Sequence, residues 1–214
     1  MKLLLTSNGL INDSIAQAFV DMTPKRVSEI RIAFIPTALN PGSENVRYLA
    51  EILTILNNLT VKFIDIVDID GLSKEQWLSR LEAADVIYVC GGNTYYLLDR
   101  VRKCGLGDEL GKLLETRLYV GDSAGAILVT PSIDIAAIDN GDENAVGLED
   151  TRGLGLVDFE VSPHTPEDVS LKGNENYAST ISNVLYAYDN NTALRFEDGI
   201  VQFVGVGEYF TFNS

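Results

Sequence analysis

Alternation between short apolar runs and amphipathic helical stretches restricts the fold of this chain more than any other feature. The apolar runs cover residues 2–6, 31–36, 61–67, 85–90 and 118–120. Runs this short and this apolar are typical of strands buried on both faces. Helical spacing of apolar residues lies between them, as in residues 44–56. Alternating strands and helices imply right-handed crossovers and a mostly parallel sheet.

The predicted fold class is therefore α/β, with a doubly wound, mostly parallel sheet flanked by helices. We expect residues 1–214 to form one domain, because no linker, repeat or low-complexity segment interrupts them. Residues 169–185 have a helical pattern, and residues 193–212 read as short strands separated by glycines. These strands predict an antiparallel extension at the edge of the sheet. The Asp-, Asn- and Gly-rich stretch 133–150 predicts a long loop.

The charge balance excludes several classes of partner. Lys and Arg number 16 against 31 Asp and Glu, which gives a formal net charge of −15. Nucleic acid and anionic membrane surfaces both require a basic face, so we expect neither as a partner. No apolar run approaches the roughly 18 residues of a membrane helix, and the first eight residues turn polar too early for a signal peptide. We therefore expect a cytoplasmic protein.

The cysteine and histidine content argues against a metal centre. Cys90 and Cys104 belong to no recognisable cysteine motif, so we expect both to be reduced thiols. Two separated cysteines and a single histidine do not supply the ligand cluster of a zinc site. We therefore expect neither a metal nor a cofactor.

The sharpest motif is the sequence Gly-Asp-Ser-Ala-Gly at residues 121–125. It follows the predicted strand 118–120 and precedes the apolar stretch 126–129, which is the setting of a nucleophile elbow. Such a turn presents the hydroxyl of Ser123 at the carboxyl edge of the sheet, with the N–H of Ala124 available to an oxyanion. The alternative is a glycine-rich turn in which Ser123 only caps a helix. The strand–turn–helix context favours the nucleophile.

A serine nucleophile needs a base, because its hydroxyl is almost never ionised at neutral pH. The chain has one histidine, His164, just after a predicted strand at residues 157–161. His164 is therefore the base by elimination if the site uses a Ser-His pair. The alternative is an ordinary loop histidine without a catalytic role.

The residue types alone do not choose the acid that would orient this base. The chain order Ser, acid, His points to Asp134, Asp139 or Asp158. The order Ser, His, acid points downstream, where Glu197 and Asp198 lie at a strand-to-turn junction.

A second glycine motif follows another predicted strand. Gly91, Gly92 and Asn93 come directly after residues 85–90, and paired glycines let the backbone approach a ligand closely. In an acyl-transfer enzyme this loop would supply the second oxyanion donor. A phosphate loop is disfavoured because the Gly-Lys-Ser/Thr signature is missing, and an ordinary strand–helix turn is the other alternative. Cys90 reads as a packed core residue rather than a nucleophile.

Taken together, residues 91–98, residues 121–126 and Pro163-His164 resemble the peptidase E (α-aspartyl dipeptidase) family of serine peptidases. Residues 3–8 and 35–37 are also similar to that family, so the resemblance spans nearly the whole chain. It implies the class-I glutamine-amidotransferase-like variant of the flavodoxin-like fold. It also implies a relation to the cyanophycinases.

The resemblance further implies a Ser-His-Glu triad. The serine corresponds to Ser123, the histidine to His164 and the acid to Glu197, with Asp198 as the alternative acid.

The family's oxyanion hole corresponds to the backbone N–H groups of Gly92 and Ala124, with Asn93 shaping the loop.

Two positions depart from the resemblance. Asp122 stands before the serine, where aspartyl dipeptidases carry a bulky apolar residue. Asp134 stands eleven residues after Ser123, where the aspartyl-specific members place an arginine suited to a substrate carboxylate. A carboxylate facing a carboxylate is repulsive, so a preference for N-terminal Asp is in doubt. Arg152 is a candidate to supply the missing cation, together with Lys172 and Arg195.

The expected function is hydrolysis of short peptides by a serine exopeptidase, similar to a dipeptidase, through an acyl-enzyme. The alternatives are an amidase or esterase with the same triad, or a non-catalytic protein that binds a small ligand in the same cleft. We expect a monomer or a homodimer.

Overall fold

A seven-stranded mixed sheet with a parallel core runs through the computed structural model, which describes residues 1–42 and 46–214. Its five parallel strands are β1 (Lys2–Thr6), β2 (Arg31–Ile35), β3 (Phe63–Ile66), β4 (Val86–Val89) and β5 (Leu118–Asp122). They lie in the order β3-β2-β4-β5-β1. All five coincide in position, to within two residues at either end, with the runs predicted as buried strands. The predicted burial is wrong for β3, which lies at the edge of the sheet and is partly exposed.

Helices connect these strands and cover both faces of the sheet. They are α1 (Asp13–Met22), α2 (Val46–Asn58), α3 (Lys74–Glu82), α4 (Thr94–Cys104), α5 (Leu106–Leu113), α6 (Ala124–Leu128) and α7 (Leu171–Ala178). The predicted beginning of the second helix at Glu44 lies outside the described residues. No helix in the described ranges is both long and apolar enough to cross a membrane.

The core forms two apolar layers, one on each face of the sheet. On β1, Leu3 and Leu5 face one layer and Leu4 faces the other, because successive side chains of a strand point to opposite faces. The side chains of β2 and β4 alternate between the same two layers, and those in the core are fully or almost fully buried. This two-sided burial explains why these strands are continuously apolar in sequence.

The antiparallel extension predicted over residues 193–212 is confirmed for β8 (Thr192–Glu197) and β9 (Ile200–Gly205), whereas residues 209–212 form a strand of a second sheet. β8 pairs antiparallel with β1, and β9 pairs antiparallel with β8. β8 therefore begins at the edge where the parallel strands end, and it ends at the opposite edge.

A second sheet has three strands, β6 (Glu160–Ser162), β7 (Leu185–Tyr188) and β10 (Tyr209–Phe212), in the order β10-β7-β6. The helix predicted over residues 169–185 was too long, because α7 ends at Ala178 and Leu185 already belongs to β7. The alternating aromatic residues of β7 pack into this small sheet, which outweighs the helical spacing of the preceding segment.

Three parallel strands bring their carboxyl ends together at one edge. Thr6 of β1 pairs with Asp122 of β5, and Val89 of β4 pairs with Gly121. The residues that follow β1, β4 and β5 consequently meet at this edge, where open α/β sheets bind their ligands.

Candidate active site

Ser123 lies on a sharp turn between β5 and α6. Its backbone has φ 50° and ψ −107°, a strained conformation for a residue other than glycine. A Cβ atom at Gly125 would overlap the carbonyl oxygen of Val89, so glycine is required for α6 to approach β4 so closely. The turn directs the Ser123 side chain into a cleft at the carboxyl edge of the sheet.

The imidazole of His164 contacts this serine. Its Nε2 lies 2.9 Å from Oγ of Ser123. The backbone N–H of His164 donates to Oγ of Ser7 at 3.1 Å, and the Ser7 hydroxyl donates to the carbonyl oxygen of Tyr188 at 3.2 Å. The segment after β6 is thereby anchored to the residue after β1, which brings the histidine to the serine.

The other ring nitrogen contacts an amide. Nδ1 of His164 lies 2.5 Å from Oδ1 of Asn190, in the turn between β7 and β8. An amide oxygen only accepts hydrogen bonds, so Nδ1 carries the proton in this contact. Nε2 is then free to accept the hydrogen bond of the Ser123 hydroxyl, which is the tautomer that a general base requires.

The expected triad acid Glu197 lies elsewhere. Glu197 pairs with Lys2 at the beginning of β1, whereas Ser123 follows the residue paired with Thr6 at its end. Four strand residues, or about 13 Å, separate these two edges. The carboxylate of Glu197 instead binds Lys2 at 2.5 Å and Arg195 at 2.6 Å, and both hydrogen bonds lower its pKa.

The other acids that the sequence left open do not contact His164 either. Asp198 is 82% exposed, 4.0 Å from the N-terminal amine. Asp139 accepts a hydrogen bond from the backbone N–H of Ser170 at 2.7 Å, and Asp134 and Asp158 are exposed. Sequence reasoning missed Asn190 because it considered only carboxylates as partners of the histidine. The run of Asp and Asn residues at 189–191 was the available signal, since it marks a turn after a strand.

The loop of Gly91 and Gly92 lies beside Ser123. A Cβ atom at Gly91 would come within 3.0 Å of Cβ of Ser123. Gly92 has φ 133°, and a Cβ atom there would overlap the carbonyl oxygen of Ala38, so this loop requires glycine. In the described ranges, the N–H groups of Gly92 and Ala124 donate to no other residue. N–H groups without an internal acceptor are what an oxyanion hole requires.

Two further contacts fix this glycine loop from outside. The Asn93 amide donates to the carbonyl oxygen of Glu143 at 2.9 Å, while its oxygen accepts from the N–H of Tyr96 at 2.8 Å. The N–H of Thr94 donates to the carboxylate of Asp142 at 2.7 Å. The loop predicted at residues 133–150, which begins with a short 3-10 turn, therefore braces the glycine loop against movement.

Ser123 and His164 open into a cavity of about 750 Å³, within the size range of small-molecule sites. The charged side chains that line it in the described ranges are all acidic, namely Asp142, Glu143 and Asp168. Asn93 lines this cavity as well.

The two other residues expected to bind substrate lie outside the cavity. Asp134 is exposed on the 3-10 turn. Arg152 is 83% exposed and forms an ion pair with Asp150 at 2.6 Å. Among the described residues, no Lys or Arg lines the cavity, although the resemblance predicted an arginine for substrate binding.

Asp122, directly before Ser123, is fully buried. Its carboxylate accepts hydrogen bonds from the N–H of Gly9 at 2.8 Å, the Tyr48 hydroxyl at 2.5 Å and the Thr6 hydroxyl at 3.2 Å. Burial raises the pKa of Asp122 from 3.8 to about 6, although these hydrogen bonds oppose the shift. Sequence analysis noted Asp122 only as a departure from the resemblance.

The chain is similar to several known peptidases. The family model described as Peptidase family S51 matches residues 3–204. An uncharacterized peptidase of Pasteurella multocida is 30% identical over 168 residues, which are 76% of this chain and 79% of that protein. Peptidase E of Streptomyces coelicolor is 30% identical over 77% of this chain and 64% of its own length. The crystal structure of a Listeria monocytogenes protein, described there as a candidate peptidase E, superposes with a TM-score of 0.82. It is 26% identical and covers 96% of this chain and 98% of its own.

The packing at the elbow predicts the effect of a single methyl group. We expect Gly125→Ala to lower the free energy of unfolding by about 1–3 kcal/mol, because the added Cβ overlaps the Val89 carbonyl. The matched control is Gly111→Ala on α5, where the Cβ meets open space. That change should stabilise the chain by roughly 0.5–1 kcal/mol. Urea unfolding measures both, and equal stability of the two variants would contradict the packing.

The buried carboxylate predicts a pH-dependent stability. The folded chain holds the Asp122 proton more tightly than the unfolded chain, so ionising Asp122 costs stability as pH rises from about 4 to above 6. Asp122→Asn removes this titration. The stability of the variant minus that of the wild type should increase by about 2–4 kcal/mol between pH 4 and pH 7. Denaturant unfolding at both pH values measures it, and a constant difference would refute it.

Proposed function

Because this chain belongs to peptidase family S51 and is a serine-type peptidase, we propose that it is an exopeptidase that cleaves short peptides through an acyl-enzyme on Ser123. The observation that carries this proposal is the 2.9 Å contact between Nε2 of His164 and Oγ of Ser123. The proton on Nδ1, required by the contact with Asn190, gives the imidazole the tautomer of a base.

The proposed reaction begins with proton transfer. Nε2 of His164 takes the hydroxyl proton of Ser123 as Oγ attacks the scissile carbonyl carbon. The resulting oxyanion accepts hydrogen bonds from the N–H groups of Gly92 and Ala124, which have no other acceptor in the described ranges.

The second half of the reaction returns the proton. The His164 imidazolium donates it to the leaving nitrogen, the C–N bond breaks and the amine departs, which leaves an ester on Ser123. A water molecule then attacks the ester carbonyl and gives a proton to His164. Collapse of this second tetrahedral intermediate returns that proton to Oγ and releases the acid.

Asn190 takes the orienting position in this proposal, which Glu197 was expected to hold. The amide oxygen fixes the ring and its tautomer through the 2.5 Å contact to Nδ1. It carries no full charge, so the Ser-His-Glu triad implied by the resemblance becomes a Ser-His-Asn arrangement here.

The cavity supports a short substrate. A volume of about 750 Å³ suits a peptide of a few residues. Its acidic lining suits the ammonium group of a peptide N-terminus and disfavours an acidic side chain nearby. We therefore propose cleavage next to the N-terminal residue, without the preference for N-terminal Asp.

The nucleophile is tested by removing its oxygen. Ser123→Ala should lower kcat for the best substrate of an X-Leu dipeptide panel by a factor on the order of 10⁶, since Ser and His act as a unit. Ser182→Ala is the matched control, because Ser182 is exposed and lies outside the cavity. Full activity of Ser123→Ala would exclude the acyl-enzyme.

Substrate charge is tested with the same panel. Ala-Leu and Lys-Leu should have kcat/KM values at least about tenfold above that of Asp-Leu, because carboxylates line the cavity. Asp168→Asn should narrow this difference, whereas Asp158→Asn, exposed and outside the cavity, should not change it. Fastest cleavage of Asp-Leu would contradict the proposed specificity.

A further inference from the structure

We propose that Asp122 is a positioning residue that supplies the negative charge stabilising the imidazolium of His164. This role rests on the proposed function, because His164 becomes positively charged only if it takes the proton of Ser123. It separates two tasks that one carboxylate performs in a Ser-His-Asp triad, where the acid both orients the imidazole and compensates its charge.

Asn190 performs only the first task. Its amide oxygen orients the ring at 2.5 Å but offers a dipole rather than a charge. The imidazolium forms in a half-buried position, where an uncompensated charge is costly. The site therefore needs an anion that does not contact Nδ1.

The other carboxylates of the region fit this need poorly. Glu197 binds Lys2 and Arg195 at the opposite edge of the sheet. Asp142 accepts the N–H of Thr94. Glu143, Glu167 and Asp168 are exposed, so water screens their charges, and Glu167 accepts the N–H of Asn190 at 3.3 Å.

Asp122 lies next to the reacting serine and is fully buried, so its field is weakly screened. Its carboxylate is held in one position by the backbone after β1 and by α2. Gly9 and Thr6 donate to Oδ1, and the Tyr48 hydroxyl donates to Oδ2. Donors of this kind favour the charged form of a carboxylate.

The groups that face Asp122 leave His164 as its cationic counterpart. Its titratable neighbours are Tyr48 on α2, Tyr88 on β4, Cys90 after β4, Tyr188 on β7 and His164 after β6. Burial raises the pKa of each of these tyrosines and of Cys90, so they stay neutral at pH 7. Burial also raises the pKa of Asp122, and the charge of His164 acts in the opposite direction. Among these neighbours of Asp122 in the described ranges, His164 is thus the group that becomes positively charged when it takes a proton.

The test measures the activation of Ser123 without a peptide. The rate at which a fluorophosphonate modifies Ser123 is followed between pH 5 and pH 9 in the full chain, with Ser123→Ala as the blank. Asp122→Asn should lower the plateau rate roughly 10- to 100-fold. It should also move the midpoint of the acidic limb to lower pH, because the imidazolium loses its counter-charge.

Rescue separates an electrostatic role from a structural one. Asn190→Asp places a carboxylate on Nδ1, so the double variant Asp122→Asn/Asn190→Asp should regain most of the plateau rate. Tyr48→Phe keeps the carboxylate but removes a donor that favours its charged form, so a larger fraction of Asp122 is protonated. Its midpoint should therefore move to lower pH, in the same direction as in Asp122→Asn but by less. Asp158→Asn, an exposed carboxylate outside the cavity, is the matched control and should match the wild type.

Several results would overturn the role of Asp122. One is an Asp122→Asn variant whose plateau rate and midpoint equal those of the wild type. Another is an Asp122→Asn variant that reacts slowly but has an unshifted midpoint and is not rescued by Asn190→Asp. If Asp122→Asn does not fold, an unshifted midpoint in Tyr48→Phe contradicts the proposed role of Asp122. A wild-type chain that reacts at Ser123 but cleaves no dipeptide refutes the exopeptidase proposal alone. Failure of Ser123 to react at all refutes both.

Discussion

The pairing of Thr6 with Asp122 between β1 and β5 is the constraint on which the rest of the site depends. At this point the carbonyl of Thr6 accepts the N–H of Ser123 at 2.9 Å, and its hydroxyl binds the Asp122 carboxylate at 3.2 Å. The next residue of the chain, Ser7, holds the backbone of His164. One strand end therefore locates the serine, the histidine and the buried acid relative to one another, and a shift of register would separate all three.

The parallel half of the fold could be predicted because its signals are local. Strands buried on both faces show as apolar runs, and the crossover rule then determines the class of sheet. The place of Ser123 followed from the same reasoning, since residues after parallel strands meet at one edge. His164 instead follows β6 of the second sheet, and it reaches the serine through the contact of its backbone with Ser7. The tight turns at the elbow and at the Gly91-Gly92 loop could be predicted from their glycines, because close backbone approach excludes a side chain at these positions.

The partner of His164 was missed because the resemblance assigned the acid to Glu197, although the predicted extension was antiparallel. Had β8 run parallel to β1, Glu197 would lie near the active edge; it runs antiparallel, and the turn before it brings Asn190 there instead. The apolar pattern of residues 192–197 does not give the register of β8 against β1, so it does not show which residue of the preceding turn meets the histidine. The role of Asp122 was hidden for a related reason, since its donors Gly9 and Tyr48 are far from it in sequence.

The hydrogen bonds that hold the Gly91-Gly92 loop come from residues that also line the cavity. Asp142 and Glu143 form part of the cavity wall, and the same two residues hold the N–H of Thr94 and the amide of Asn93. In the proposed mechanism, a substitution in this wall that admits a different side chain would also move the donors to the oxyanion. Substrate selectivity and reaction rate would then be coupled, and a relative that diverges in this loop would change both properties in a single evolutionary step.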